Sequence, residues 1–292
     1  DLPNALDDFA AVTHGAFGTA SMLAKDQTLL SFYAPFLTQG ELGAAAASMA
    51  STSVAHLKFR LGLLTSRFRA HHPLKACDDC MATDVQDFGW TYWHLEHQYP
   101  GVWTCPCHGR PLRECVLKAN GVQRFQWHLP RSADLQAANA AHQPSQESRH
   151  KLSNLIIHLV RSERPAGWLD LDATRLAIRQ RLDERGWISE KGSILVPQAA
   201  KDFHVHLRQL GELPDLTHAQ WDDGAVQNWI ARISRPPRSG THPLRWLLVI
   251  DWLFDSAADF VDAYDQASAE APTLLPAQPA HSGSDDLASS GQ

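Results

Sequence analysis

The sequence predicts a mainly α-helical protein in which helical domains flank a small, irregular, cysteine-rich module. Three observations carry that expectation. Apolar residues recur at helical spacing in several segments, with capping residues and glycines where helices should begin and end. Four of the five cysteines crowd into residues 77–107, a stretch with little periodicity of its own. The 292 residues are 44% apolar and include ten tryptophans, enough to supply the cores of one large domain or two ordinary ones.

The elements follow in chain order. In "NALDDFAAVTHG" Asn4 is placed to cap a helix through Leu6, Phe9, Ala10 and Val12, with Gly15 as its stop. "LLSFYAPFL" is apolar and broken by Pro35, so periodicity leaves its type open, whereas "GELGAAAASMAS" has high helix propensity. Residues 76–115 combine Cys, His, aromatics, Pro and Gly, and such a segment needs a crosslink or a metal to hold a shape. "NLIIHLV" belongs to a helix over 151–162. In "LDATRLAIRQRLDERG" either Asp170 or Asp172 serves as N-cap and Gly186 ends the helix. "WISEKGSILV" reads as a small hairpin. Pro197 then suits a first helical turn, Ala200, Phe203, Leu207 and Leu210 share a face, and Gly211 is the stop. Val226, Trp229, Ile230 and Ile233 follow the spacing i, i+3, i+4, i+7, and "PLRWLLVIDWLF" is apolar nearly all round, which implies burial.

Charge is unevenly distributed. The net charge of −6 argues against an all-over polyanion binder, yet residues 246–292 hold eight acids and no Lys or Arg. The remaining 245 residues carry 26 basic and 24 acidic groups. The end of the chain, 266–292, is poor in residues that bury surface and is expected to be a disordered acidic tail. No stretch has the length and apolarity of a membrane span, and the first residues lack the pattern of a secretory signal, so a cytoplasmic setting with no membrane partner is expected. The sequence begins at Asp1 without a methionine, which reads as a fragment or a processed product.

Cys77-x-x-Cys80 and Cys105-x-x-His108 form two ligand pairs separated by 24 residues. A two-residue spacer lets a tight turn aim both side chains at one point, and two such knuckles complete a tetrahedron of thiolate and imidazole around Zn2+. Four protein ligands leave no open position, so the site is expected to be structural and the module zinc-ribbon-like. A disulfide framework is the competing reading, disfavoured by a cytosolic setting and an odd number of thiols. Cys107 and Cys115 are left over. His94 and His97 share one side of a helical turn and, with Cys115, offer an incomplete ligand set for a second metal. The alternative is that these histidines bond to backbone while the aromatics around them cover the knuckles. "HLEH" is not a zinc-hydrolase motif.

The segment "CDDC…GWTYWHLEHQYPGVWTCPCHGRPL" resembles the zinc-finger core of the TniQ/TnsD family of transposon target-selection proteins, where Cys-x-x-Cys precedes Tyr-Trp-His-x-x-His-Gln-x-Pro-Gly-Val and Cys-Pro-x-His-Gly. "LLSFYAPFL" and "FRLGLLTSR" extend the likeness upstream. "RQRLDERGWISEKGSI" and "THPLRWLLVIDWLF" are similar to the TnsD-type C-terminal extension, so the resemblance covers roughly residues 1–262. Departures are Tyr99 for the usual Leu, Trp246 where His is frequent, and the extra Cys107.

The resemblance implies a non-catalytic adaptor for DNA transposition with Cys77, Cys80, Cys105 and His108 as zinc ligands. It implies double-stranded attachment-site DNA and an AAA+ ATPase regulator as partners, with a transposase downstream. In an alternative, the adaptor docks on an RNA-guided CRISPR effector complex and binds little DNA itself. The organisation expected is a partial N-terminal region (1–75), the zinc-finger module (76–118), a TnsD-like helical domain (145–265) and the tail. Thirteen bases and eleven acids lie between residues 161 and 245, so any phosphate-binding face must come from segregation. Arg175, Arg179 and Arg185 can line the outside of one helix, Arg235 and Arg238 flank a Pro-Pro loop, and Arg245 follows it. A solvated charged helix face is the competing account of the same residues.

Overall fold

A computed structural model describes residues 2–64, 68, 73–117, 128–137, 145–211, 222–233, 235 and 240–274. The architecture is predominantly helical with a small β-sheet region that contains a Cys3His cluster.

The N-terminal part builds α1 (Leu6–Val12), α2 (Ala20–Asp26), α3 (Leu30–Tyr33), α4 (Gln39–Ala50) and α5 (Ala55–Arg60). α4 owes its start to a reciprocal capping box: the Thr38 hydroxyl accepts from Glu41 N, and the Glu41 carboxylate accepts from Thr38 N. The Asn4 cap does not form. Ala5 occupies the N-cap position in a left-handed conformation, and Asn4 donates its side-chain amide to Thr52 O, trading a local cap for a tie to the residues after α4. Pro35 resolves the ambiguous apolar run by ending α3, after which Ala34–Phe36 tighten into a 3-10 turn.

The module is a three-stranded antiparallel sheet of β1 (Lys75–Ala76), β2 (Arg113–Cys115) and β3 (Leu135–Ala137) in that order, with Lys75 opposite Glu114 and Cys115 opposite Leu135. Between β1 and β2 lies α6 (Asp78–Phe88), a helix in a stretch expected to be irregular. Asp78 and Asp79 in its first turn complement the helix dipole, and Gly89 closes it in the left-handed conformation, φ 82°. Its short length and the polar Thr83, Gln86 and Asp87 hide the apolar period.

The C-terminal part contains α7 (Gln146–Val160), α8 (Leu171–Glu184), α9 (Val196–Leu210), α10 (Asp223–Ile233), α11 (Leu244–Leu253) and α12 (Ala257–Leu274). Asp170, of the two candidates, is the N-cap of α8, accepting from the backbone of Asp172 and Ala173. The expected hairpin is one bridge between Ile188 and Ile194. α11 is the central helix. Nine of its residues are buried, and it packs against α7, α8 and α9. α12 lies along α8 and runs past the boundary expected for the tail: Ala267 is fully buried and the helix continues to Leu274, so apolar positions on an alanine-rich helix outweighed the low-complexity composition. The rest of that tail, and Arg238, lie outside the described residues.

One continuous core joins these parts, running from Leu2 to Ala267 and taking in Cys77, Cys80 and Cys105. The expected boundaries at residues 75 and 145 therefore do not divide it. Backbone bonds seal the contact: Gly167 N donates to Ala34 O at 2.9 Å and Leu169 N to Pro35 O at 3.0 Å. Gly101, at φ 84°, lets the chain pass close over α7 and α11. A Cβ there would sit 2.8 Å from Ile156 Cδ1 and 2.9 Å from Leu244 Cδ1.

Candidate metal centre

The first knuckle is a strand-to-helix junction. Cys77 has extended backbone at the N-cap of α6 and Cys80 lies in its first turn, so both sulfurs face one point. The second is a hairpin tip. Thr104 bridges Pro111, Cys105 N donates to Arg110 O at 2.8 Å and Gly109 N to Cys105 O at 2.9 Å, and this curls Cys105 and His108 inward. Arg110 pairs with Asp79 at 2.6 Å across the two knuckles.

The ligand atoms of Cys77, Cys80, Cys105 and His108 all lie within 4.8 Å of one another. Cys80 Sγ is 3.5 Å from Cys105 Sγ. His108 Nδ1 is 3.7, 3.3 and 3.6 Å from the sulfurs of Cys77, Cys80 and Cys105. A tetrahedron built with ordinary zinc–sulfur and zinc–nitrogen bonds has edges of about 3.8 Å between sulfurs and about 3.5 Å from sulfur to nitrogen. The residues fit a tetrahedral cation of that size. The three cysteines are buried and His108 is exposed, with its imidazole forming the outer wall.

The three thiols act on one another. A hydrogen bond from the Cys105 thiol pulls Cys77 down to about 5, the donation in turn raises Cys105, and burial pushes Cys80 up to about 12. A divalent cation at the centre supplies the positive charge that lets all of them ionise.

The leftover residues separate. Cys107 is exposed, and Cys115 is buried in a satellite cluster with Ala76, Met81 and Leu135. His94 donates from Nε2 to the buried Asp84 carboxylate at 3.1 Å and stacks on Tyr92. His97 is buried with Nε2 3.9 Å from Cys80 Sγ, and burial pushes it down to about 3. Among the described residues neither histidine takes the backbone partner expected, and a single group of metal-competent side chains exists.

Most of the candidate DNA residues on α8 and after it are engaged by neighbours within the fold. Arg175 pairs with Asp172 at 2.6 Å, Arg179 donates to Gly192 O, and Arg185 donates to Leu253 O at 2.8 Å while lying over the Trp187 ring. Arg245, on α11, stacks on Trp229 of α10 at 5.2 Å. Arg235 is exposed beyond α10. Three of the six thus lie on or beside α8, and nothing in the sequence singles out Trp187 and Trp229 as supports for arginines.

Comparison with known proteins places this geometry in context. A family model described as TniQ matches residues 1–112, and one described as TnsD, Tn7-like transposition protein D, matches residues 153–280. Transposon Tn7 transposition protein TnsD of Escherichia coli is 26% identical over 110 residues, 37% of this chain and 22% of that protein's length. The aligned stretch thus spans less than a quarter of the relative. Two models meeting on one chain, the first ending at the second knuckle and the second beginning within α7, reproduce the order of the observed parts. The chain belongs to the TniQ/TnsD family of transposition proteins.

Proposed function

We propose that the chain is a non-catalytic target-selection adaptor in DNA transposition, which binds an attachment-site duplex and recruits an AAA+ ATPase regulator that engages the transposase. The observation that carries this reading is the TnsD match over α7 to α12, joined to a TniQ region that holds the Cys3His cluster. Cys77, Cys80, Cys105 and His108 hold a structural Zn2+, which supplies a crosslink between two knuckles and no reactive position. The helical part after residue 145 is the DNA-facing portion, with Arg175, Arg179, Arg185, Arg235, Arg238 and Arg245 as its phosphate contacts. Arginines braced on tryptophan rings and carbonyls support that role, since a guanidinium already fixed loses less freedom on meeting a phosphate. The setting is cytoplasmic. Among the described residues no helix is long and apolar enough to cross a membrane.

The test is a mobility shift of the purified chain on attachment-site duplex at increasing salt. Affinity should fall steeply and linearly in log–log form, because phosphate contacts release counterions. An affinity insensitive to salt counts against the reading. An absence of duplex binding, together with capture by an RNA-guided effector complex, favours an adaptor that works only through protein contacts.

A further inference from the structure

We propose that His97 is an outer hydrogen-bond donor of the metal centre, with Nε2–H directed at Sγ of Cys80. The proposal rests on the reading of Cys77, Cys80, Cys105 and His108 as ligands. His97 itself falls outside that group of mutually close ligand atoms. Its Nε2 lies 3.9 Å from Cys80 Sγ, and its Nδ1 is buried with no hydrogen-bond partner among the described residues. A proton on Nδ1 would be an orphaned buried donor, whereas on Nε2 it faces the sulfur of a ligand. A metal-bound thiolate keeps excess negative charge and accepts such a bond.

The surrounding residues hold the ring in that direction. His97 belongs to the 3-10 turn Leu95–Gln98, and the Gln98 side-chain amide anchors the turn to β1, accepting from Lys75 N at 2.9 Å and donating to Lys75 O at 2.8 Å. Behind it stands His94, with ring centroids 4.9 Å apart, itself fixed by both carboxylate oxygens of Asp84 at 3.1 Å. Asp84 lies one helical turn after Cys80 on α6, so one short helix carries both the sulfur and the carboxylate that steadies the stack. A donor at the sulfur draws charge off it, which weakens its reaction with protons and oxidants and keeps it on the metal.

The experiment uses the full chain loaded with Co2+ in place of Zn2+, comparing the parent with His97→Phe and His97→Gln. The ligand-field bands of a tetrahedral site with three sulfurs and one nitrogen should persist in all three. In His97→Phe the sulfur-to-cobalt charge-transfer band should move to lower energy, because the thiolate lone pair loses its donor, and cobalt affinity should drop about 10-fold or more. His97→Gln, which retains an N–H, should return both toward the parent. A residue that only filled space would be replaced better by Phe than by Gln. Parental band position and affinity in His97→Phe overturn the proposal; should that variant not fold, a His97→Gln band displaced as far as that of His97→Leu overturns it instead, and a parental Gln band supports it. A parent chain that takes up neither metal overturns the ligand assignment itself, and the donor role with it.

Discussion

The hydroxyl of Tyr33 and Nε2 of His242 meet at 3.1 Å across 209 residues of chain, both side chains buried to 2% exposure. His242 Nδ1 accepts from Leu244 N at 3.2 Å, which places the imidazole proton on Nε2 and makes the tyrosine oxygen its acceptor. Phe32 and Phe68 close around the same ring. This contact joins the end of α3 to the start of α11, and so fastens the TniQ region to the TnsD region. Tyr33→Phe removes the acceptor while keeping the ring. It should destabilise the chain by about 1–3 kcal/mol, read as a lower urea midpoint with unchanged slope.

A second fastening responds to acid. Arg164 donates to both oxygens of Asp265, at 2.6 and 2.7 Å, which ties the residues after α7 to α12. The guanidinium holds the Asp265 carboxyl below the usual carboxylate range in the folded chain. A depressed folded pKa means that the pair contributes fully above the unfolded value, near pH 4, and is lost as pH falls through the folded value. Both side chains are substantially exposed, so the contribution is under about 1 kcal/mol. Asp265→Asn should therefore be slightly less stable than the parent at pH 7, and the difference should vanish as pH falls below the depressed folded value, in matched denaturation curves.

What is readable in the sequence and what is not divides along local and long-range causes. Val226, Trp229, Ile230 and Ile233 are all buried at the spacing expected, as are Ala200, Phe203, Leu207 and Leu210, because a helix face is written within a few turns. The metal-competent quartet is legible for the same reason: each half is a two-residue spacer. Asn4 fails as a cap because its amide is claimed by Thr52, 48 residues away. α6 is hidden because Met81 is the one ordinary apolar residue on its buried face, the others being Cys80, held in the cluster, and Asp84, paired with His94. Arg245 carries no sequence sign of Trp229, the ring it rests on, since that stack forms only when α10 and α11 meet; the Arg185–Trp187 stack is local, two residues apart, but depends on the turn that ends α8.

Removal of one ligand should be felt well beyond the knuckles. Cys77, Cys80 and Cys105 belong to the main core alongside Trp103 and Leu152, so the centre is a structural junction and not an appendage. Cys80→Ser should lose the metal, and because binding energy at such a site is folding energy, residues 76–115 should become accessible to protease. Elemental analysis with limited proteolysis checks both. Normal metal content in the variant would show that Cys80 is not a ligand.

Arg185 separates a scaffold role from a DNA role. Its guanidinium donates to Leu253 O at 2.8 Å and lies over Trp187, so truncation removes a helix-to-helix tie as well as a charge. Arg185→Ala should weaken attachment-site binding and lower the magnitude of the log–log salt slope by about 1, the signature of one lost phosphate contact. Arg185→Lys keeps the point charge but cannot reproduce the planar stack. It should retain the slope while losing part of the thermal stability. If Arg185→Ala lowers the melting temperature and leaves the salt slope at the parental value, the residue braces α8 against the end of α11 and does not touch the duplex.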